Sequence, residues 1–329
     1  MRGFGYSEER LVRVGIVGTG YAAKLRAETF QKDERSQVVA IVGHTPEKTQ
    51  EFAQTYQAEA LTSWVDLVQA DIDLVVISNV NKEHGAIATA ALQNNKHVVV
   101  EYPLALDVTE AENIVTLARD RDKMLHVEHI ELLGGLHQAL KQNLPTIGEV
   151  FYARYATVTP QHPAPHKWTY HKDLFGFPLI AALSRLHRLT DLFGEVASVR
   201  CQNRHWGEGE FYQACLCTAQ LQFTSGVIAD VTYAKGETLW QDERKFEIHG
   251  EKGGLIFEGD AGKLVQAEQT TLIEVGSRRG LFAKDTEMVL NHLLTNTDMY
   301  VSPTASLYTL KVADAARQSA EIGQAVVIS

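Results

Sequence analysis

The chain has 329 residues, with 31 Lys and Arg against 41 Asp and Glu, a formal charge of -10 and a pI near 5.7. That balance excludes a generally basic nucleic-acid binder, while 45% apolar and 22% charged residues make an ordinary globular mixture. At roughly 100–200 residues per domain, the length points to two domains.

The opening MRGFGYSEER carries no apolar stretch of the kind a signal peptide needs, and no run approaches the ~18 consecutive apolar residues of a membrane helix. A flexible tail over 1–10 and a cytoplasmic protein are expected, with no nucleic-acid or membrane partner. The three cysteines, Cys201, Cys215 and Cys217, are too sparse for a disulfide scaffold and are expected reduced and buried.

From Val12 the chain reads VRVGIV, a β-branched run ending at Gly18, followed by a helical stretch to about Gln31. The alternation continues with VVAIVG at 38–43, a helix from Pro46 to about Tyr56, DLVVIS at 73–78, a helix from about Glu83 to Gln93, and HVVV at 97–100. Near-continuous apolar strands separated by helices predict a doubly wound parallel sheet covered on both faces. A further helix is expected from Thr109, where Thr109-Glu110-Ala111-Glu112 has capping-box spacing, and a last strand at 124–128. The first domain is read as 11–130. After a helix at about 131–143, strand-like segments dominate: GEVFYARYATV, VASVRCQNRHW, ACLCTAQLQF, GVIADVTYAK, RKFEIHG and GGLIFEG. One helix is expected at 179–194 and two more at about 284–295 and 303–322. The second domain, 131–329, is read as α+β on one large, mostly antiparallel sheet, with C-terminal helices free to pack back on the first.

Gly18-Thr19-Gly20-Tyr21-Ala22-Ala23 stands between the first strand and the first helix, so G-x-G-x-x-A occurs in its meaningful context. Gly18 makes the turn, Gly20 admits a pyrophosphate, Ala23 lets the helix pack closely, and the helix N-terminus offers N–H donors to the anion. Thr19, Tyr21 and Ala22 complete the loop. A dinucleotide site normally carries an acidic residue at the end of the second strand; here the chain reads Gly43-His44-Thr45-Pro46-Glu47-Lys48. His44, Thr45 and Lys48 suit a 2′-phosphate, so NADPH is expected over NADH, although the same residues also serve to cap the helix at Pro46.

The stretch SNVNKEHGAIATAALQNNKHVVVEYPLAL at 78–106 resembles the oxidoreductase family of glucose-fructose oxidoreductase and inositol dehydrogenase. The resemblance implies that Ser78, Asn79, Asn81, His84 and Glu101 belong to the cofactor site. Three departures stand out. Glu101-Tyr102-Pro103 replaces the family's Glu-Lys-Pro, Ile180 and Ser184 occupy the positions of its Asp and His, and Trp168-Thr169 replaces a frequent Trp-Arg. The alcohol-oxidising acid–base pair is therefore missing. Glu-Tyr-Pro, HVEHIELL at 126–133, HPAPHKWTYH at 162–171, FGFPLIAALSR at 175–185 and VGSRRGLF at 275–282 resemble the biliverdin reductases of the cyanobacterial type. This implies NADPH-dependent reduction of a central methine bridge, with the anionic linear tetrapyrrole biliverdin against the large sheet and bilirubin as product. A sugar or cyclitol dehydrogenase, or a non-catalytic NADP- or bilin-binding sensor, is the alternative.

Arg185 and Arg188, three apart on one helix, are candidates for orienting the bilin and stabilising developing negative charge. The proton donor is left open between Arg185, Tyr102 and water; Glu101 is expected to orient the turn or the nicotinamide. Glu128 and His129, just beyond a parallel strand, and Arg244 are further substrate candidates, as are Lys245, Arg278 and Arg279. His126, Glu128, His129 and Glu131 lack the i, i+4 spacing of a zinc-binding helix, and no metal is expected.

Overall fold

Valine and isoleucine runs without a polar face have to be buried on both sides, and helices cover them here. The computed structural model describes residues 11–277 and 279–328; the tail expected over 1–10 and the candidate Arg278 lie outside the described residues. Six parallel strands, β1 (Val12–Val17), β2 (Ser36–Val42), β3 (Glu59–Ala60), β4 (Leu74–Ile77), β5 (His97–Glu101) and β6 (Leu125–Glu128), lie in the order β3-β2-β1-β4-β5-β6. Helices α1 (Tyr21–Lys32), α2 (Pro46–Tyr56), α3 (Trp64–Gln69), α4 (His84–Gln93) and α5 (Val108–Asp120) connect them. The strand order reverses between β1 and β4, the switch point outside whose carboxyl ends such sheets bind ligands.

The second sheet uses β7 (Val150–Pro160), β8 (Val196–Trp206), β9 (Ala214–Phe223), β10 (Ile228–Gly236), β11 (Glu243–Gly250), β12 (Gly253–Glu258), β13 (Ala261–Gln266), β14 (Gln269–Ile273) and β15 (Val326–Val327). Their order is β14-β13-β12-β11-β7-β10-β9-β8-β15; every pairing is antiparallel except that of β7 with β10. The remaining helices are α6 (Gly135–Asn143), α7 (Lys172–Phe175), α8 (Pro178–Ala181), α9 (Ser184–Phe193), α10 (Leu281–Thr295) and α11 (Pro303–Ile322).

Two compact units result, Met1–Ile130 with Gly280–Leu307, and Glu131–Arg279 with Tyr308–Ser329. In the first, Val289, Leu290 and Leu293 of α10 are buried with Val12, Val14, Ile16 and Phe30. Each such side chain contributes ~1.5–3 kcal/mol by leaving water, which is enough to recruit a helix remote in sequence. In the second, strand alternation puts Tyr155, Val231, Ala219, Cys201 and Phe246 on a buried face, whereas Arg154 pairs with Glu243 and Glu247 on the other. The three cysteines are free and buried on the inner face, with Cys201 and Cys217 sulfurs 3.6 Å apart.

The structure departs from the local signals at the start of α5 and over 179–194, and α6 begins at Gly135 rather than near 131. The α5 cap is Asp107, whose side chain accepts from the Glu110 N–H, and Thr109 is already helical. The single helix expected over 179–194 is two: Pro178 opens α8, Ala182 leaves helical geometry at ψ 38°, and α9 starts at Ser184. All of Leu179 to Leu183 is buried, so apolar character on every side hid the break.

Candidate active site

The glycine loop is shaped for a phosphate. Gly18 has φ 127°, and a Cβ there would collide with the Ser78 carbonyl, so the turn excludes any side chain. Gly20 caps α1 without a side-chain hydrogen bond, and a Cβ on it would point into open space. The first N–H groups of α1 are therefore left for an acceptor, as a pyrophosphate requires. Tyr21 is exposed, Thr19 and Ala22 flank the turn, and Ala23 is fully buried against the sheet. Beyond β2, His44 and Lys48 are exposed, while the Thr45 hydroxyl accepts from the Lys48 N–H as the α2 cap. Thr45 thus has a helix-capping duty whether or not it also meets a phosphate.

At the end of β4, Ser78 and Asn81 are buried, and Ser78 Oγ and Asn79 Oδ1 have no hydrogen-bond partner among the described residues. Buried polar atoms left this way fit a ligand carboxamide or ribose. His84 ties the loop down: one ring nitrogen meets the Pro103 carbonyl at 2.8 Å, the other the Asn79 carbonyl at 3.4 Å. Burial lowers its pKa, keeping the ring neutral. The residues present thus fit a nicotinamide dinucleotide from pyrophosphate to nicotinamide end.

Glu101 ends β5, Tyr102 follows it, and both are half-buried. Behind them stands a buried polar network. Arg26, fully buried on α1, donates from Nε to Glu101 Oε1 at 3.0 Å and from a terminal nitrogen to Asp285 of α10. Asp285 Oδ1 also meets His126 Nε2 at 2.8 Å and accepts from the Tyr300 hydroxyl at 2.7 Å. That hydroxyl accepts from the His129 N–H at 3.1 Å, and the His129 ring stacks on Tyr102 with centroids 5.4 Å apart and planes 6° apart. Burial alone would neutralise the Asp285 carboxyl, but Arg26 and His126 hold it well below the usual range. Burial likewise opposes the Arg26 charge, and Asp285, Glu101 and Glu128 more than restore it. Glu128, also buried, accepts from the Ile130 N–H, and His129 Nε2 lies 2.9 Å from Ser306 Oγ. Both side chains thus have partners within the first unit.

In the second unit the inner face of the sheet changes character along β10, from Val231 to Tyr233 to Lys235. Cys217 and Thr157 stand opposite Tyr233, and Cys215 and Thr159 opposite Lys235. The Arg185 guanidinium lies 5.7 Å from the Tyr233 ring centre and donates to Ser184 Oγ at 2.7 Å. Lys235 is 8% exposed; its Nζ donates to the Thr169 carbonyl at 2.5 Å and sits 3.7 Å from Phe175, 4.6 Å from Tyr170, 5.5 Å from Tyr212 and 5.9 Å from Tyr233. No carboxylate pairs with it among the described residues, and burial pushes its pKa down to about 8. Arg244, opposite Thr157, is on the same face and exposed. Lys245 is on the other face, paired with Glu247 at 2.8 Å. Arg188 is buried, with one guanidinium nitrogen unpartnered among the described residues. Arg279 is exposed.

Sequence reasoning missed Arg26, Asp285, Tyr300, Tyr233 and Lys235. A signal was available for three of them. Arg26 shares the buried face of α1 with Ala23, Ala27 and Phe30, and Asp285 that of α10 with Val289, while Lys235 continues the inward alternation of Val231 and Tyr233. A charged side chain on a core stripe is the exception to explain.

Two domain models cover nearly the whole chain: an oxidoreductase family, NAD-binding Rossmann fold, over residues 12–129, and an oxidoreductase family, C-terminal alpha/beta domain, over 141–328. A biliverdin reductase from Synechocystis sp. PCC 6803, solved in complex with biliverdin and NADP+, superposes with TM-score 0.93 at 55% identity, covering 94% of this chain and 99% of that one. Mouse biliverdin reductase A is 25% identical over 286 residues, 87% of each chain. A 3-ketoreductase from Actinomadura kijaniata, at 20% identity and TM-score 0.84, shares the fold over 94% of this chain and 98% of its own. With both domains matched in order, the chain belongs to the Gfo/Idh/MocA oxidoreductase family.

Proposed function

We propose that this protein reduces biliverdin to bilirubin with NADPH. The observation that carries the reading is the 55% identity, over 94% of the chain, to an enzyme solved with biliverdin and NADP+. The site residues support it. Tyr102 replaces the lysine that would serve sugar hydroxyls, and Ile180 and Ser184 stand where an acid–base pair would be needed. Bound NADPH supplies a hydride for the central methine carbon; a proton joins a pyrrole nitrogen, leaving NADP+ and bilirubin. Ser78, Asn79 and the glycine loop hold the dinucleotide, and the absence of a carboxylate at His44 and Thr45 admits a 2′-phosphate.

A linear tetrapyrrole needs a flat apolar support and cations for its propionates. Tyr233 offers an aromatic face on the inner sheet, with Arg185, Lys235 and Arg244 on the same face or against it. Guanidinium remains protonated throughout the working range, so Arg185 orients the bilin and stabilises the negative charge that accumulates as hydride arrives. Tyr102, or water relayed past Arg185, supplies the proton. Three buried free thiols suit a reducing compartment, and we assign the activity to the cytoplasm. Among the described residues no helix is long and apolar enough to cross a membrane.

An absorbance time course with biliverdin and NADPH tests the assignment directly. The red biliverdin band should fall as a blue-absorbing bilirubin band grows, and Arg185→Leu should slow turnover by more than about tenfold with NADPH affinity retained. A folded, NADPH-binding protein that leaves the biliverdin spectrum unchanged, or one that oxidises polyols instead, overturns the reading.

A further inference from the structure

The buried network behind Glu101 is closed on itself. From Glu101 it runs through Arg26, Asp285, Tyr300 and the His129 backbone to the His129 ring, and that ring returns to Tyr102, the next residue along the chain from Glu101. Two neighbouring side chains at the carboxyl end of β5 are therefore held from behind by a single set of buried contacts, anchored on helices α1 and α10. Its charges do not cancel. Asp285 and Glu101 both pair with the one guanidinium of Arg26, and His126 adds a positive charge only when protonated. With His126 neutral, Arg26, Asp285 and Glu101 together carry an excess negative charge of one. It lies at the strand ends where this fold receives the nicotinamide, a ring that is neutral before hydride leaves and cationic afterwards.

We propose that Arg26 and Asp285 are positioning residues of the reductase site: they hold Glu101 and Tyr102 in register and keep a negative field where the cationic nicotinamide ring forms. The proposal builds on the NADPH assignment and does not need biliverdin to be the substrate. Burial at low effective dielectric makes such a field act over several ångströms, and fixed charges cost no reorganisation when the hydride moves. The cluster therefore favours NADP+ over NADPH at the same site, which assists hydride donation.

The test is titration of the full-length protein with NADP+ and with NADPH, followed by intrinsic and cofactor fluorescence, alongside steady-state kinetics with biliverdin. Asp285→Asn keeps the shape and removes one charge; it should weaken NADP+ binding about fivefold more than NADPH binding. Its kcat should fall by about tenfold with the KM for biliverdin within about twofold of the parent, the pattern of a lost transition-state interaction. Tyr300→Phe keeps every charge and removes only the link between Asp285 and His129; it should leave the NADP+ to NADPH affinity ratio alone and lower kcat by about threefold. If Asp285→Asn fails to fold, Glu101→Gln at the half-buried end of the ring carries the charge arm and should shift the same ratio in the same direction. A ring that merely stabilises the fold would lower the melting temperature while leaving the affinity ratio and the kcat of the folded fraction unchanged, and that result overturns the proposal. Failure of biliverdin turnover in the parent protein would instead remove the substrate assignment, with the affinity ratio still reporting on the ring.

Discussion

Each unit of this molecule buries a cation beside its candidate site residues, and each does so differently. In the first, Arg26 is fully enclosed and faces carboxylates, with Asp285 and Glu101 accepting its hydrogen bonds. In the second, Lys235 is enclosed by the faces of four aromatic rings and one carbonyl, with no carboxylate pairing among the described residues. The first solution drives the acid and base pKa values apart, so its charges persist at any pH at which the protein folds. The second leaves the ammonium titrating at about 8, because ring quadrupoles return less than carboxylates do for lost hydration. The cofactor unit is electrostatically locked, whereas the sheet unit carries a charge whose state depends on conditions.

The largest expected contrast comes from removing each cation. Arg26→Met strands Asp285 and Glu101 without their counter-charge, and breaking a buried pair in this way costs about 3–5 kcal/mol. Lys235→Met strands no carboxylate and ends the cost of burying an ammonium, so its stability at pH 7 should lie within about 1 kcal/mol of the parent. Denaturant unfolding of both variants measures the difference. Equal losses would show that the aromatic cage is worth as much as an ion pair and would break the comparison.

A pH series sharpens the same contrast. Lys235 titrates at about 8 in the folded protein against an ordinary 10.5, so between these values the unfolded chain holds a proton that the native state has released. Stability attributable to this group therefore rises with pH across that window and is flat below it, by at most about 3 kcal/mol in total. The stability difference between parent and Lys235→Met should change over pH 8 to 10.5 accordingly, while Arg26 and Asp285 contribute no slope there. A difference that stays constant across the window would mean that the lysine is not held as the structure has it. At the acid end the first unit has a titrating group of its own. His97 accepts the Met124 N–H through Nδ1 at 3.0 Å, and burial pushes its pKa to about 3, so stability is lost as pH falls from 6.5 toward that value.

The legibility of the two units in sequence follows the same divide. Gly18, Gly20 and Ala23 could be read because a tight turn, a phosphate and close packing each restrict one position to the smallest residues. The strands of the first unit were equally plain, since burial on both faces leaves unbroken Val and Ile runs. The ring around Arg26 was not readable, because its bond to Asp285 spans 259 positions and nothing local announces which buried arginine meets which buried aspartate. In the second unit, alternation identified the inner face, but only the fold brings Phe175, Tyr170 and Tyr212 around Lys235. The hairpin β13–β14 escaped notice because it is mostly exposed and has no apolar face to alternate. The substrate itself came from resemblance, since no spacing of residues specifies a tetrapyrrole.

The smallest expected effect lies where capping and cofactor choice share residues. Thr45 accepts from the Lys48 N–H at the start of α2, so Thr45→Ala should cost about 1 kcal/mol of stability from the lost cap alone. Lys48 is exposed and enters the cap only through its backbone N–H among the described residues, so Lys48→Ala should leave the melting temperature in place. If its ammonium approaches the 2′-phosphate, the preference for NADPH over NADH should narrow by about three- to tenfold, most clearly at low ionic strength where the exposed charge is least screened. Comparing kcat/KM for the two cofactors in both variants separates the duties: a loss of preference with unchanged stability assigns Lys48 to the phosphate, and a loss of stability with unchanged preference confines Thr45 to the helix. A preference untouched in both variants would leave recognition of the 2′-phosphate to His44 and the backbone beyond β2, and NADH used as well as NADPH by the parent would remove the phosphate from this loop altogether.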